Sequence, residues 1–249
     1  HGNFGKSYIY GKPAMDLIFE RMPATLELVA VAACLVLCIA IPLGVYAGAY
    51  PKRASSKLIM SGSILGISLP SFWVGMMMIY IFAVVLRLLP ASGRGNTVMV
   101  GNVALSIFAP GGIRYVILPA ITLALTNVAT MLRLTRSGIL ENMRQDYIKF
   151  ARAKGVPAKS ILFGHALKNA LIPVVTIFGM DLGNMIAFTT ITETIFAWPG
   201  MGKLLIDAIN KSDRPIIVAY LMAAACMFVV LNFIVDILYT LIDPRIELR

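Results

Sequence analysis

From Leu58 to Leu86 the chain runs for 29 residues without a charged side chain. An α-helix needs roughly 20 apolar residues to cross the hydrocarbon core of a bilayer. Inside that core every backbone N–H and C=O must be satisfied by the chain itself, which leaves only helices and closed barrels. Four more stretches share this character. Leu28–Ala49 and Tyr115–Leu132 are uncharged, Pro173–Ile191 holds only Asp181, and Ile216–Ile242 holds only Asp236. The apolar runs are continuous rather than alternating, so helices are expected and a barrel is not. The fold class expected is all-α, a polytopic transmembrane helix bundle forming a single domain over 1–249. Its spans are 28–49, 58–86, 115–132, 173–191 and 216–242, and Pro70 is expected to kink the second.

Charge agrees with this class. Only 14% of residues are charged and 59% are hydrophobic, where soluble domains carry about 25% charged residues. The net charge of +10 would suggest nucleic acid in a soluble protein. In a membrane protein it reflects Lys and Arg collecting in cytoplasmic loops. No aromatic-basic platform for single strands is visible, so nucleic acid is not expected as a partner. Cys34, Cys38 and Cys226 lie in apolar runs, an odd number without a CxxC spacing. With only His1 and His165 available, no multi-histidine metal site is expected. Residues 1–23 are polar and read as a loop, without the charged and apolar regions of a signal peptide.

Lys and Arg set the orientation. The connections 51–57, 133–172 and 243–249 hold 13 of them in 54 residues, whereas 1–23, 87–114 and 192–215 hold 9 in 75. The two groups alternate strictly along the chain. Five spans with the N-terminus outside and the C-terminus inside satisfy the positive-inside rule. The pairs Gly44/Gly48, Gly62/Gly66 and Gly179/Gly183 predict close helix packing.

Between the third and fourth spans lies a basic segment, about 137–172, with helical patterning. Ile139, Met143, Tyr147 and Ala151 recur every fourth residue, one face of a helix. Gly155 falls at a C′ position and Pro157 can open the next helix. Ile161, Leu162 and Ala166 give that helix an apolar face before Pro173 starts a span. Arg152, Lys154, Lys159 and Lys168 are left on the exposed side. Such a helix pair is either an amphipathic connector lying on anionic lipid or a dock for a cytosolic partner.

The segment reads ARAKGVPAKSILFGHALKNALIP from Ala151 to Pro173 and resembles the "EAA" loop of permease subunits of ATP-binding-cassette (ABC) importers. Ala151 and Gly155 hold that motif's last Ala and its Gly. Lys149 and Phe150 stand where the general motif has Glu and the middle Ala, and its later Leu-Pro falls on Leu167-Lys168. These departures match the dipeptide/oligopeptide/nickel branch, which typically reads ARAKG…HALxNALxP. The resemblance covers nearly the whole chain: RMPATLEL (21–28), IPLGV (41–45), GISLPSFWVG (66–75), LPASGRG (89–95), ETIFAWPGMGKLL (193–205) and LIDPRI (241–246). It is closest to the dipeptide-permease B type.

The resemblance implies a type I ABC importer permease fold with six spans. Five are visible here, so a span before residue 1 is expected to be missing from this sequence. It also implies a second permease subunit, two cytosolic ATPases, an extracytoplasmic binding protein and a bacterial or archaeal cytoplasmic (inner) membrane. The ATPase-coupling residues it implies are Tyr147, Ala151, Arg152, Ala153, Lys154, Gly155, Pro157 and His165. The chain has no GxxxxGK[ST] loop: five residues before Gly202 stands Ala197 rather than Gly. ATP and magnesium are therefore expected on the partner ATPases, with no cofactor on this chain and no enzymatic activity of its own.

Two other sets of residues stand out. Trp198, Pro199, Gly200 and Lys203 form an aromatic-Pro-Gly turn before an amphipathic stretch. It reads either as an interfacial anchor with Trp198 at headgroup level or as an external gate under the binding protein. Asp181 lies at the middle of its span, and Asn184 follows one turn later. Charges at that depth usually face a bundle interior or a wet cavity. In the family resembled an amide is more usual at Asp181, so the acid is a departure. Asp181 either packs as a protonated or hydrogen-bonded group at a permease interface or lines the solute path with Asn184. An alternative function is an ion-coupled secondary transporter using Asp181 and Asp236, although no inverted repeat is visible. An intramembrane enzyme is not expected, since no His/Glu or Ser/Lys constellation lies at membrane depth.

Overall fold

The computed structural model describes residues 4–101 and 103–242, side chains at 236 and 238–242 excepted. The Asp236 side chain and residues 243–246 of LIDPRI thus lie outside the described residues. The helices are α1 (Ala14–Ala49), α2 (Ala54–Ser68), α3 (Ser71–Met78), α4 (Ile113–Asn142), α5 (Asp146–Ala153), α6 (Ala158–Ser160), α7 (Leu167–Ile195), α8 (Met201–Asn210) and α9 (Arg214–Ile242). Wide π turns extend α3 over Ile79–Val85 and join α6 to α7 over Ile161–Ala166. A small antiparallel hairpin, β1 (Val98–Val100) and β2 (Val103–Leu105), pairs Val98 with Leu105 and Val100 with Val103. Among the described residues, four helical stretches are long and apolar enough to cross a membrane, and the broken pair α2/α3 makes a fifth if counted as one span.

Three expectations need correction. First, residues 14–23 are helix rather than loop. Ala14, Leu17 and Ile18 are buried at i, i+3, i+4 spacing, while Asp16 and Glu20 point outward. At 1.5 Å per residue, the 36 residues of α1 extend well past a hydrocarbon core of ~30 Å. Second, Pro70 breaks the second span rather than kinking it. Leu69 and Pro70 are both extended, with ψ of 130° and 135°, because the proline ring pushes the residue before it out of the helical region. Third, Pro173 does not start a span. It lies inside α7, which begins six residues earlier. Only one intrahelical N–H is lost at such a proline.

The chain divides into two compact units. Unit 1 comprises 1–33, 70–124 and 182–231. Its core packs Ala14, Leu17 and Ile18 of α1 with Met201, Leu204 and Ala208 of α8 and Ile216, Ala219, Tyr220 and Ala223 of α9. Unit 2 comprises 34–69, 125–181 and 232–249. Its core is Val45, Ile139, Ile148, Ile161, Ala166 and Ala170.

The glycine pairs behave differently from one another. At Gly44 a Cβ would stand 2.6 Å from Thr135 Cβ, and at Gly48 2.7 Å from Ile139 Cβ. This pair therefore brings α1 and α4 together at backbone distance. Gly62 meets nothing within 4 Å, so its side of α2 is unfilled. Gly179 and Gly183 pack against Val235 and Phe228 of α9.

Candidate functional site

The basic segment forms two short helices around a left-handed turn. α5 starts at Asp146 after the extended Gln145. An acidic first residue suits a helix N-terminus. Lys149 Nζ donates to Asp146 Oδ1 at 2.8 Å and holds that carboxyl below its ordinary range. The C-terminus of α5 closes with two reversed bonds. Val156 N donates to Ala151 O at 3.1 Å, and Gly155 N donates to Arg152 O at 2.9 Å. This is a Schellman motif, which needs a residue of positive φ at C′. Gly155 supplies it with φ +78°. Pro157 then sits extended as the cap of α6.

The buried face differs from the one expected. α4 ends at Asn142 and a turn over 143–145 separates it from α5, with Arg144 N bonded to Glu141 O and Gln145 N to Asn142 O. The fourfold spacing carried through from Ile139 is therefore interrupted. Ile148 takes the buried position, fully enclosed with Ile161 and Ala166, and Tyr147 is left 40% exposed. Ala151 is half-buried, while Arg152, Ala153, Lys154, Gly155, Pro157, Lys159, His165 and Lys168 are exposed. Most of the expected coupling residues are thus exposed. Two residues that sequence reasoning passed over join them: Phe150 is 62% and Phe163 52% exposed. Lys154 Nζ stands 4.5 Å over the Phe150 ring. Phe150 is two residues from the buried Ile148, on the opposite side of the helix, and that offset was the available signal.

Unit 1 holds a buried polar network that no local pattern announced. Glu27 of α1 is paired with Arg94, and both side chains are nearly enclosed. Arg94 Nε donates to Glu27 Oε2 at 2.9 Å, and its Nη2 donates to the Ala104 carbonyl at 2.6 Å. Glu27 Oε1 accepts from Ser106 N at 2.6 Å and Ile107 N at 2.7 Å. One carboxylate thereby fixes both ends of the 94–107 segment that carries the β-hairpin. Glu193, fully buried, accepts from Thr25 Oγ1 at 2.6 Å and from Lys203 N at 2.9 Å. It thus caps the first turn of α8. Its carboxyl fills the space where a Cβ on Gly200 would go.

Trp198 is fully buried, with Nε1 donating to Ala24 O at 2.9 Å. Arg94 lies 5.7 Å from its ring centre. The headgroup-anchor expectation for Trp198 is thereby corrected: its one polar atom is consumed inside the chain. Pro199 is half-buried and Gly200 buried. Lys203 is half-buried and paired with Asp207 at 2.9 Å.

Asp181 is half-buried in α7 and has a polar interaction within the chain. The glycines beside it, Gly179 and Gly183, are both covered by α9, the close packing their spacing predicts. Asn184 is exposed, one turn on from Asp181, as are Ile177, Met180, Phe188 and Ile191. Positions 177, 180, 184, 188 and 191 form one helical stripe, an uncovered face of α7 that is apolar except for the amide.

Comparison with known proteins places this architecture. Residues 40–248 match the family described as "Binding-protein-dependent transport system inner membrane component". The oligopeptide transport system permease protein AppB of Bacillus subtilis is 41% identical over 99% of this chain and 76% of its own length. The probable D,D-dipeptide transport system permease protein DdpB of Escherichia coli is 38% identical over 99% and 76%. The dipeptide transport system permease protein DppB of the same organism is 35% identical over 99% and 77%. Among solved structures, an inward-facing MetNI methionine ABC transporter superposes with a TM-score of 0.70 at 16% identity, covering 92% of this chain and 97% of that one. An amino acid ABC transporter superposes at 0.59 and 14%, covering 93% and 94%. These neighbours share the type I permease fold. With its membrane-crossing helices, and with relatives that are permease components rather than catalytic subunits, the chain belongs to the binding-protein-dependent transport system inner membrane components, as a multi-pass permease subunit of an ABC importer.

Proposed function

We propose that this permease carries peptides or related small solutes from an extracytoplasmic binding protein into the cytoplasm. The solute class rests on relatives named for oligopeptide, dipeptide and D,D-dipeptide transport. The chain works beside a second permease subunit in the cytoplasmic membrane of a bacterium or archaeon, with the lipid bilayer around it. Two cytosolic ATPases bind ATP and magnesium and engage residues about 143–166. ATPase closure then displaces α5 and α6, and the attached spans alternate access.

The observation that carries this reading is the α5–Gly155–α6 element. It is closed by the Gly155 turn, seated on unit 2 by Ile148 and Ile161, and leaves Phe150, Phe163, Arg152, Lys154, Lys159 and His165 exposed. Exposed aromatic and cationic side chains on a rigid element suit a protein partner better than a solvated connector. On the other side of the membrane, Trp198, Pro199, Gly200 and Lys203 hold α8 in place as part of the external gate. The binding protein is proposed to contact the exposed end of α8. Asn184, on the uncovered stripe of α7, and the half-buried Asp181 beside it are proposed to line the path.

Site-specific crosslinking tests the docking surface. A photoreactive residue at Lys159 should crosslink to the ATPase subunits in the assembled importer, while one at Leu58 should not. Lipid as the sole product at position 159 would return the segment to the connector reading.

A further inference from the structure

The turn between α4 and α5 carries a chain of hydrogen bonds that neither helix backbones nor apolar packing requires. Asn169 Nδ2, near the start of α7, donates to the Tyr147 hydroxyl at 2.9 Å. That hydroxyl donates to Asn142 Oδ1, at the end of α4, at 2.8 Å. Asn142 Nδ2 donates in turn to the Gly138 carbonyl at 2.8 Å. Chemistry fixes the direction. The Gly138 carbonyl can only accept, so Asn142 turns its Nδ2 toward Gly138 and its Oδ1 toward Tyr147. The phenol has a single proton, which goes to Asn142, so Asn169 must be the donor to the phenol oxygen. In such a relay each bond polarises the next.

The relay stands where α4 and α7 approach closely. A Cβ on Gly138 would lie 3.0 Å from Ala170 Cβ; Gly138 is one turn before Asn142, and Ala170 follows Asn169. The residue after Tyr147 is the buried Ile148, clustered with Ile139 and Ala170. α5 is thus held by the apolar packing of Ile148 and Ala151 and by one hydroxyl that reaches both α4 and α7. Apolar contact is non-directional and lets a helix roll. Hydrogen bonds weaken steeply with angle, so the hydroxyl sets the roll. Tyr147 is 40% exposed, so water can replace its partners, and the bonds are not needed to keep the fold closed.

We propose that Tyr147 is a positioning residue: its hydroxyl ties α5 to the ends of both α4 and α7, so that a displacement of α5 is delivered to both helices together. The inference rests on the reading of α5 and α6 as the ATPase dock. Without the relay, the movement of α5 is lost as rolling over the apolar cluster around Ile148.

The test uses the complete importer in proteoliposomes: this chain, its partner permease, the ATPases and the binding protein. ATP hydrolysed and labelled dipeptide taken up are measured together. Tyr147→Phe keeps the ring and removes only the hydroxyl. Loss of a single hydrogen bond is worth about a factor of five. Asn169→Leu, outside the residues proposed to meet the ATPases, breaks one bond of the relay, and the expected result is ATPase association and turnover near wild type with uptake per ATP reduced about fivefold. Tyr147→Phe breaks both bonds of the hydroxyl and should lower uptake per ATP at least as far, and the double variant no further than Tyr147→Phe. Unchanged uptake per ATP in Tyr147→Phe would overturn the inference. So would loss of ATPase association in Asn169→Leu, which would make the relay part of the docking surface instead. If Tyr147→Phe does not assemble, Asn169→Leu decides alone, and unchanged uptake per ATP in that variant again overturns it. Absence of any ATP-driven uptake by the wild-type complex would remove the proposed function itself, and this inference with it.

Discussion

Arg94 and Glu27 show how much can hang on one pair of side chains. Both are buried, and the carboxylate also holds the Ser106 and Ile107 amides. Removing one member of such a pair leaves an uncompensated buried charge, at a cost of about 3–5 kcal/mol. Arg94→Ala should therefore lower the thermal unfolding temperature of the detergent-solubilised protein markedly. A change at the exposed Arg152 should leave it within about 0.5 kcal/mol of wild type. An unfolding temperature unaffected by Arg94→Ala would show that the pair does not hold the 94–107 segment. Asp181 is a different kind of residue, half-buried in α7 beside the uncovered stripe rather than part of that buried network. Asp181→Asn keeps the size and removes the charge. If Asp181 attracts the amine of a solute, this variant should assemble normally and lose uptake of cationic peptides more than neutral ones. Equal uptake of both by the assembled variant would leave Asp181 a packing role.

Among the elements, the α5–α6 turn separates backbone strain from partner contact. Gly155 has φ +78°, and a Cβ there meets nothing within 4 Å. A side chain at this position costs about 1 kcal/mol through its backbone alone. Asn tolerates the left-handed region better than most residues. Gly155→Asn should therefore transport close to wild type, whereas Gly155→Glu should insert normally, lose ATPase association and abolish uptake. Equal uptake by the two variants would detach this turn from the mechanism.

This turn was legible in the sequence because its signal is local. A Gly four residues after Ala151, followed by Pro157, prescribes the reversal without reference to the rest of the chain. The register of α5 was not legible, because four-residue spacing was carried from Ile139 through a turn that breaks it at 143–145. The pairing of Glu27 with Arg94 joins positions 67 residues apart. Neither residue's neighbours carry a trace of it. The early start of α1 was available in the Ala14, Leu17, Ile18 spacing but was masked by the charges on its opposite face.

At the scale of the whole molecule, the two units sort the connections as the Lys/Arg distribution does. Residues 1–23, 87–114 and 192–215 all fall in unit 1, and 51–57 and 133–172 fall in unit 2. Inside unit 1 the three connections are joined by hydrogen bonds. Asp213 accepts from Ser7 Oγ, and Gly93 N donates to Phe196 O at 2.8 Å. The Lys/Arg asymmetry predicts the first set of connections outside and the second inside. In a background with Cys34, Cys38 and Cys226 replaced by Ala, single cysteines at Asn96 and Asn210 should react with an impermeant reagent in intact cells. One at Lys159 should react only after permeabilisation, and labelling of position 159 in intact cells would reverse the orientation.

The central claim is that movement of solute through this chain is driven by ATP hydrolysed on partner subunits. Uptake of a labelled dipeptide into proteoliposomes holding the complete importer tests it most directly, with ATP and a protonophore varied independently. Uptake should require ATP and be unaffected by the protonophore. Uptake that proceeds without ATP and collapses when the protonophore is added would contradict it and point to ion coupling.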